Sequence, residues 1–162
     1  CGNPAVIDAD GLNNLDNELK KLLSLRHVLT PHPGEMARLT GKSIEDVLRD
    51  PAGFAENTAK AFGCIVLLKG AVSVAAHPDG RLRYNASGNP GLAKGGSGDV
   101  LTGIITALLA QGLEPFDAAS AGTYILGSSA ESALELLHER ALTAGDVLDA
   151  IEKTAGITEH RN

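Results

Sequence analysis

The residues best placed to do chemistry lie in one short stretch, LAKGGSGDVLTG, at positions 92–103. Gly95, Gly96 and Gly98 surround Ser97, and Asp99 follows at the head of an apolar run. Glycines adopt φ > 0 without steric cost, so consecutive backbone N–H groups can converge on one point. A helix starting there adds its own unpaired N–H groups and the positive end of its dipole. Together the loop and the helix start make an anion hole suited to a phosphate that gains charge during transfer. No Gly-Lys-Ser/Thr closes the stretch, so it is not a Walker loop, and its glycine spacing does not fit the dinucleotide fingerprint. Asp99 beside the hole is a candidate general base, able to take a proton from a hydroxyl that attacks a phosphoryl group. The dipole alone also favours an acid in a first helical turn, so both readings of Asp99 stand at this level.

Other polar residues fall where strands are expected to end. LTPHPGE sets His32 and Glu35 in a proline-framed segment after a strand, where open α/β sheets bind ligands. Alternatively, Glu35 opens the next helix and His32 is a solvated loop residue. VIDADGLN carries Asp8, Asp10 and Asn13 past the first strand; the two acids are candidates to hold magnesium through water or to bind a hydroxyl, or merely to serve a turn or a helix cap. LLKG delivers Lys69 to the end of a buried strand, either to meet phosphate or to begin a turn with Gly70. Lys94 carries the same ambiguity and is read as facing solvent.

Positioning these residues requires alternating strands and helices. PAVIDADG, HVLT and CIVLLKG read as short buried strands, and AVSVAAHPDGRLRYNA reads as a hairpin turning at Pro-Asp-Gly. Leu15, Leu19, Leu22 and Leu23 recur at helical spacing. SIEDVLRD and AGFAENTAKAFG are further helices, the second stopping at Gly63. Val100, Leu101, Ile104, Ile105, Leu108 and Leu109 mark a helix after the glycine loop, with Gly112 as its stop. A helix rich in Ala, Gly and Ser follows over 117–138, small enough in its side chains to pack closely within the chain or against a second copy. Thr143 and Asp146 form a capping box for the last helix. The expected architecture is an α/β domain with a mainly parallel sheet flanked by helices.

Taken together and in order, VIDADGLN, LTPHPGEMARLTG, VLLKGAVSV and GNPGLAKGGSGDVLTGIITALLAQG closely resemble the ADP/ATP-dependent NAD(P)H-hydrate dehydratases, from about Val6 to about Ala133. That family belongs to the ribokinase-like superfamily; GGSGD alone marks the superfamily, whereas PHPGE beside GNPG and GGSGDVLTG is more specific. The resemblance implies repair of the S epimer of hydrated NADH or NADPH. ADP, or ATP in some members, phosphorylates the ring hydroxyl, and loss of phosphate restores the nicotinamide cofactor, with AMP left when ADP is the donor. It further implies that Asp99 contacts the hydrate and acts as base, and that His32 binds the hydrate. Glu35, Asp10 and Asn13 are candidate neighbours of that substrate. Lys69, Gly70, Ala71, Val72 and Ser73 match the nucleotide-binding segment, with Gly98 contacting the nucleotide, and the resemblance implies that Gly96, Ser97 and Gly98 form the anion hole. Magnesium is implied as cofactor, with no side chain assigned to it.

The 162 residues are expected to form a single, partial ribokinase-like domain, because the family's glycine- and alanine-rich first elements have no counterpart before VIDADG. A longer parent with an additional N-terminal part is therefore expected. A net charge of −6 without a Lys/Arg run argues against nucleic acid as the main partner. No apolar run reaches membrane-spanning length. Only Cys1 and Cys64 occur, which fits a reducing, cytoplasmic setting. The competing readings are a ribokinase-like kinase of a vitamin precursor, which would share the anion hole and the acid, and a nucleotide-binding fragment without full activity.

Overall fold

Strand β3 (Ile65–Leu68) sets the layering, because all four of its side chains are buried. Alternate residues on a strand point to opposite faces, so a strand buried throughout must be covered on both. Ile65 and Leu67 join one apolar cluster with Val28 and Ala75, while Val66 and Leu68 join the other with Leu29, Val74 and Ala76. In the computed structural model, which describes residues 2–135, 138 and 140–154, the sheet has five strands in the order β1 to β5. β1 (Ala5–Ile7) and β2 (His27–Leu29) run parallel to β3, in register Val6 with Val28 and Val28 with Ile65. β4 (Ser73–Ala76) and β5 (Leu82–Asn85) form the predicted hairpin, so β3–β4 and β4–β5 are antiparallel and the sheet is mixed.

The first cluster is roofed by α6 (Ser97–Ala110), α7 (Pro115–Ala133) and α8 (Ala144–Thr154). Val100, Leu101, Ile105 and Leu109 of α6 are buried there, with Ile104 and Leu108 partly so, as the periodicity predicts. The predicted Thr143–Asp146 box caps α8: the Asp146 N–H donates to Thr143 Oγ1 (3.3 Å), and the Thr143 N–H donates back to Asp146 Oδ2 (2.8 Å). The small side chains of α7 are spent inside the chain. Ala118, Ala119, Gly122, Ala130 and Ala133 are all buried among α7's covered residues.

The second cluster is covered by α3 (Pro33–Thr40), α4 (Ile44–Arg49) and α5 (Pro51–Phe62), with α1 (Ala9–Asn13) packed on α3. Met36, Val47, Ala55 and Ala59 are fully buried here. Cys64 shares this core, and burial pushes its thiol up to about 12, which keeps it protonated and inert.

One expected helix is much shorter than its leucine spacing implies. α2 spans only Asn17–Lys20, capped by Asp16, and Leu19 and Leu22 are exposed. Beyond Lys20 the amides of Leu22 and Leu23 bond three residues back, to Leu19 and Lys20, which closes tight turns instead of extending the helix. His27 then ties the chain down through Nδ1, which accepts from the Ser24 N–H at 3.0 Å, at the start of β2.

Candidate functional site

Asp8, His32, Lys69 and the loop after Asn85 all emerge at one edge of the sheet. They border a cleft of about 970 Å3. Its walls also include Gly70, Ala71 and Ser73 after β3, the Gly88–Asn89–Pro90 turn, and Gly95 to Asp99 at the head of α6. The cleft therefore lies outside the carboxyl ends of the strands, where the sequence placed it.

The glycine loop enters α6 through a left-handed residue. Gly96 takes φ 93° and ψ −23°, a left-handed conformation that L side chains rarely adopt, and from it the chain enters α6 at Ser97. No side chain caps the helix, so its first N–H groups are left for a ligand. Asp99 stands in that first turn, exposed at the cleft, with no hydrogen bond or ion pair to any described residue. Behind the loop, Gly96 backs onto Ala144 at the start of α8.

His32 caps α3 rather than hanging free. Its Nδ1 accepts from the Gly34 N–H (3.0 Å) and the Glu35 N–H (3.3 Å). Glu35 Oε2 in turn accepts from the His32 N–H at 2.8 Å, which completes a reciprocal cap. With Nδ1 accepting, the neutral ring carries its proton on Nε2, 3.5 Å from Glu35 Oε1. The PHPGE segment opens a helix, and that helix fixes a half-exposed imidazole at the cleft.

Lys69 is engaged by acids. Its Nζ is 2.7 Å from Asp8 Oδ1 and 4.0 Å from Glu35 Oε2, and Asp8 Oδ2 accepts from Thr102 Oγ1 at 3.2 Å. Burial alone would raise the Asp8 carboxyl, but the hydrogen bond and charge of Lys69, with Thr30 and the Ala9 N–H, outweigh it and hold Asp8 below the ordinary carboxylate range. A depressed folded-state pKa stabilises the fold above the unfolded value, near pH 4 for an aspartate, and that contribution fades as pH falls through the folded value. Acid titrations followed by circular dichroism should therefore show Asp8→Asn losing less stability than the parent between about pH 5 and pH 2. Parallel acid curves would contradict the shift.

Asp10 and Asn13 are exposed on α1 and are not among the cleft's lining residues. Asp10 accepts from Asn13 Nδ2, and Asn13 Oδ1 accepts from Arg38. Val72 is exposed at the turn beyond the lining. Lys94 is exposed, as expected, and its Nζ also donates to the carbonyls of Arg140 (2.7 Å) and Leu142 (3.0 Å) ahead of α8. Two contacts had no signal in the sequence. Glu131 of α7 accepts from the Gly88 N–H at 2.7 Å, and Thr102 reaches back to Asp8. Among the described residues no three His, Cys, Asp or Glu side chains converge as a metal cage. A magnesium ion would enter this cleft on phosphate oxygens and water, with Asp99 the carboxylate free to meet it.

The mixed sheet, with a glycine-capped helix opening onto its carboxyl edge, has the ribokinase-like fold. A family model described as NAD(P)H-hydrate dehydratase matches residues 2–153. The chain is 47% identical over 148 residues to a bifunctional NAD(P)H-hydrate repair enzyme from Moorella thermoacetica, covering 90% of this chain and 28% of that protein. It is 42% identical to the ADP-dependent (S)-NAD(P)H-hydrate dehydratase of Neisseria meningitidis, covering 91% of this chain and 51% of that one. Among solved structures, the ADP/ATP-dependent NAD(P)H-hydrate dehydratase of Bacillus subtilis, co-crystallised with ATP and Mg2+, superposes with a TM-score of 0.82 at 31% identity, over 94% of this chain and 55% of that chain. The chain belongs to the NAD(P)H-hydrate dehydratase family. It spans about half the length, or less, of these relatives.

Proposed function

We propose that this domain carries the nucleotide half and part of the hydrate half of a site that dehydrates the S epimer of hydrated NADH or NADPH at the expense of ADP, or of ATP. The observation that carries the reading is the unpaired Asp99 carboxylate in the first turn of an uncapped helix, lining the same cleft as the His32 cap. The names of the relatives above support the substrate and the co-substrate.

The terminal phosphoryl group of ADP lies at Gly96, Ser97 and Gly98, where backbone N–H groups and the α6 dipole meet its oxygens. The segment from Lys69 to Ser73 borders the nucleotide. Asp99 takes the proton of the hydrate's ring hydroxyl as that oxygen attacks phosphorus, and AMP leaves with the bridging oxygen. The ring C–O bond then breaks, a proton leaves the neighbouring carbon, and phosphate and the dihydronicotinamide are released. His32 Nε2–H faces the cleft as a donor to the hydrate. Magnesium, when bound, neutralises phosphate charge. The reading includes a cytoplasmic enzyme with small molecules as partners. No described helix is long and apolar enough to cross a membrane.

The decisive experiment adds NADH hydrate and ADP to the full natural chain and follows absorbance at the NADH wavelength. Recovery of NADH with stoichiometric AMP and phosphate is expected. No recovery with ADP or ATP overturns the reading, and a stable phosphate ester of a small alcohol would mark a kinase instead.

A further inference from the structure

Beneath the glycine loop two charged side chains are largely shut away from solvent. The Asp8 side chain is 12% exposed and that of Lys69 is 22% exposed. A Cβ built on Gly98 would stand 3.4 Å from Asp8 Oδ2 and 3.7 Å from Lys69 Nζ, so the pair lies directly against the hole. The two carboxylate oxygens of Asp8 divide their work. Oδ1 takes the ammonium at the end of β3, and Oδ2 takes the Thr102 hydroxyl one turn into α6. Asp8 itself ends β1 in an extended conformation as the residue before α1. One side chain thus ties together two strand ends and the helix whose first turn forms the hole.

We propose that Asp8 is a positioning residue for phosphate: through Lys69 and Thr102 it fixes the first turn of α6, and so the anion hole, against the ends of β1 and β3. The proposal rests on the reading of that helix start as the phosphate site. Charge alone argues the other way. Asp8 and Glu35 together outweigh Lys69, and a carboxylate this close to the hole repels an anionic ligand. A purely electrostatic role therefore predicts that neutralising Asp8 tightens nucleotide binding. A positioning role predicts that it weakens binding, because a helix start shifted by a fraction of an ångström misaims several N–H groups at once.

The test is ADP titration calorimetry, with melting temperatures, on the full natural chain and its variants. Asp8→Asn is expected to raise the ADP Kd about tenfold, the scale of one lost charge-assisted hydrogen bond. Thr102→Val removes only the bond to α6 and should move Kd in the same direction by a smaller factor, with little change in melting. Thr102→Ser keeps the hydroxyl and should bind as the parent does. The double variant Asp8→Asn/Thr102→Val should bind no more weakly than Asp8→Asn, because the two share one contact. Unchanged or tighter binding by both Asp8→Asn and Thr102→Val overturns the proposal. A parent that binds ADP without converting the hydrate overturns the dehydratase reading and leaves this one standing. A parent that binds no ADP overturns both.

Discussion

Asp99→Asn in the full natural chain is expected to lower turnover of NADH hydrate by about 10^2- to 10^4-fold, the range associated with loss of a general base. Asn has nearly the same shape and can still sit in the first turn of α6, so the glycine loop keeps its conformation. ADP affinity should stay within a few-fold of the parent, since the hole is built from backbone N–H groups and not from this carboxylate. The structure makes the expectation sharp, because Asp99 has no partner among the described residues whose loss could destabilise the fold. Melting temperature should fall by no more than about 4 °C, since the charge lost from the first turn of α6 is worth at most about 1 kcal/mol against the helix dipole. Steady-state rates, calorimetry and melting curves on one preparation separate the three effects. Turnover within a few-fold of the parent would remove Asp99 from the base role, and loss of ADP binding would make it a ligand to the nucleotide instead.

A second large effect is expected at a residue without a side chain. At Gly127, α7 passes so close to the loop below it that an added Cβ would stand 2.2 Å from Ser87 Oγ and 2.6 Å from the Ser87 carbonyl carbon and oxygen. Real Cβ contacts do not reach that distance, and the obstacle is backbone, so Gly127→Ala must push the loop away. Overpacking of this kind costs about 2 kcal/mol, which in a chain of this size lowers the melting temperature by ~6 °C. The displaced loop is the one that runs through Gly88, held by Glu131, to the 3-10 turn Pro90–Leu92 and on to the hole. ADP affinity should therefore fall with stability, although Gly127 touches phosphate through no atom of its own. Gly103→Ala supplies the contrast. That glycine lies inside α6 with nothing near the added methyl, so the same substitution should stabilise by about 0.5–1 kcal/mol. Equal melting of Gly127→Ala and the parent would show that α7 and the loop separate freely.

The parts of the site that were legible in the sequence are those built from neighbours along the chain. A glycine cluster ahead of an apolar run of helical period can hardly be anything but a loop entering a buried helix, and Pro-Asp-Gly between strand-like runs forces the hairpin. The reciprocal cap between His32 and Glu35 is readable too, as an acceptor three residues before an acid, although histidine is an uncommon cap. Asp8 and Asp10 show why the rest was hidden. Two acids two residues apart look equivalent in VIDADG, yet Asp8 is the last extended residue, and Ala9 (φ 46°) turns the chain so that Asp10 departs on α1. Lys94 and Glu131 were illegible for a different reason. Their partners lie 46 and 43 residues away, and no local pattern marks a carbonyl at Arg140 or an amide at Gly88 as wanting one. The truncated α2 is a third kind of failure, since leucine spacing records which residues seek cover but not how far the chain must travel to reach the next strand.

The hairpin β4–β5 also carries a rule of parity. β1, β2 and β3 deliver Asp8, His32 and Lys69 to the same rim, and the chain then reverses twice before the loop that follows Asn85. Two reversals cancel, so the glycine loop comes out where the other three strands end. A single reversal, or three, would empty it at the far rim, a full strand length from Asp8 and His32. Changes to the hairpin's length or turn at Asp79–Gly80 leave the rim intact so long as the number of reversals stays even, which makes that distal turn the place where this architecture can grow.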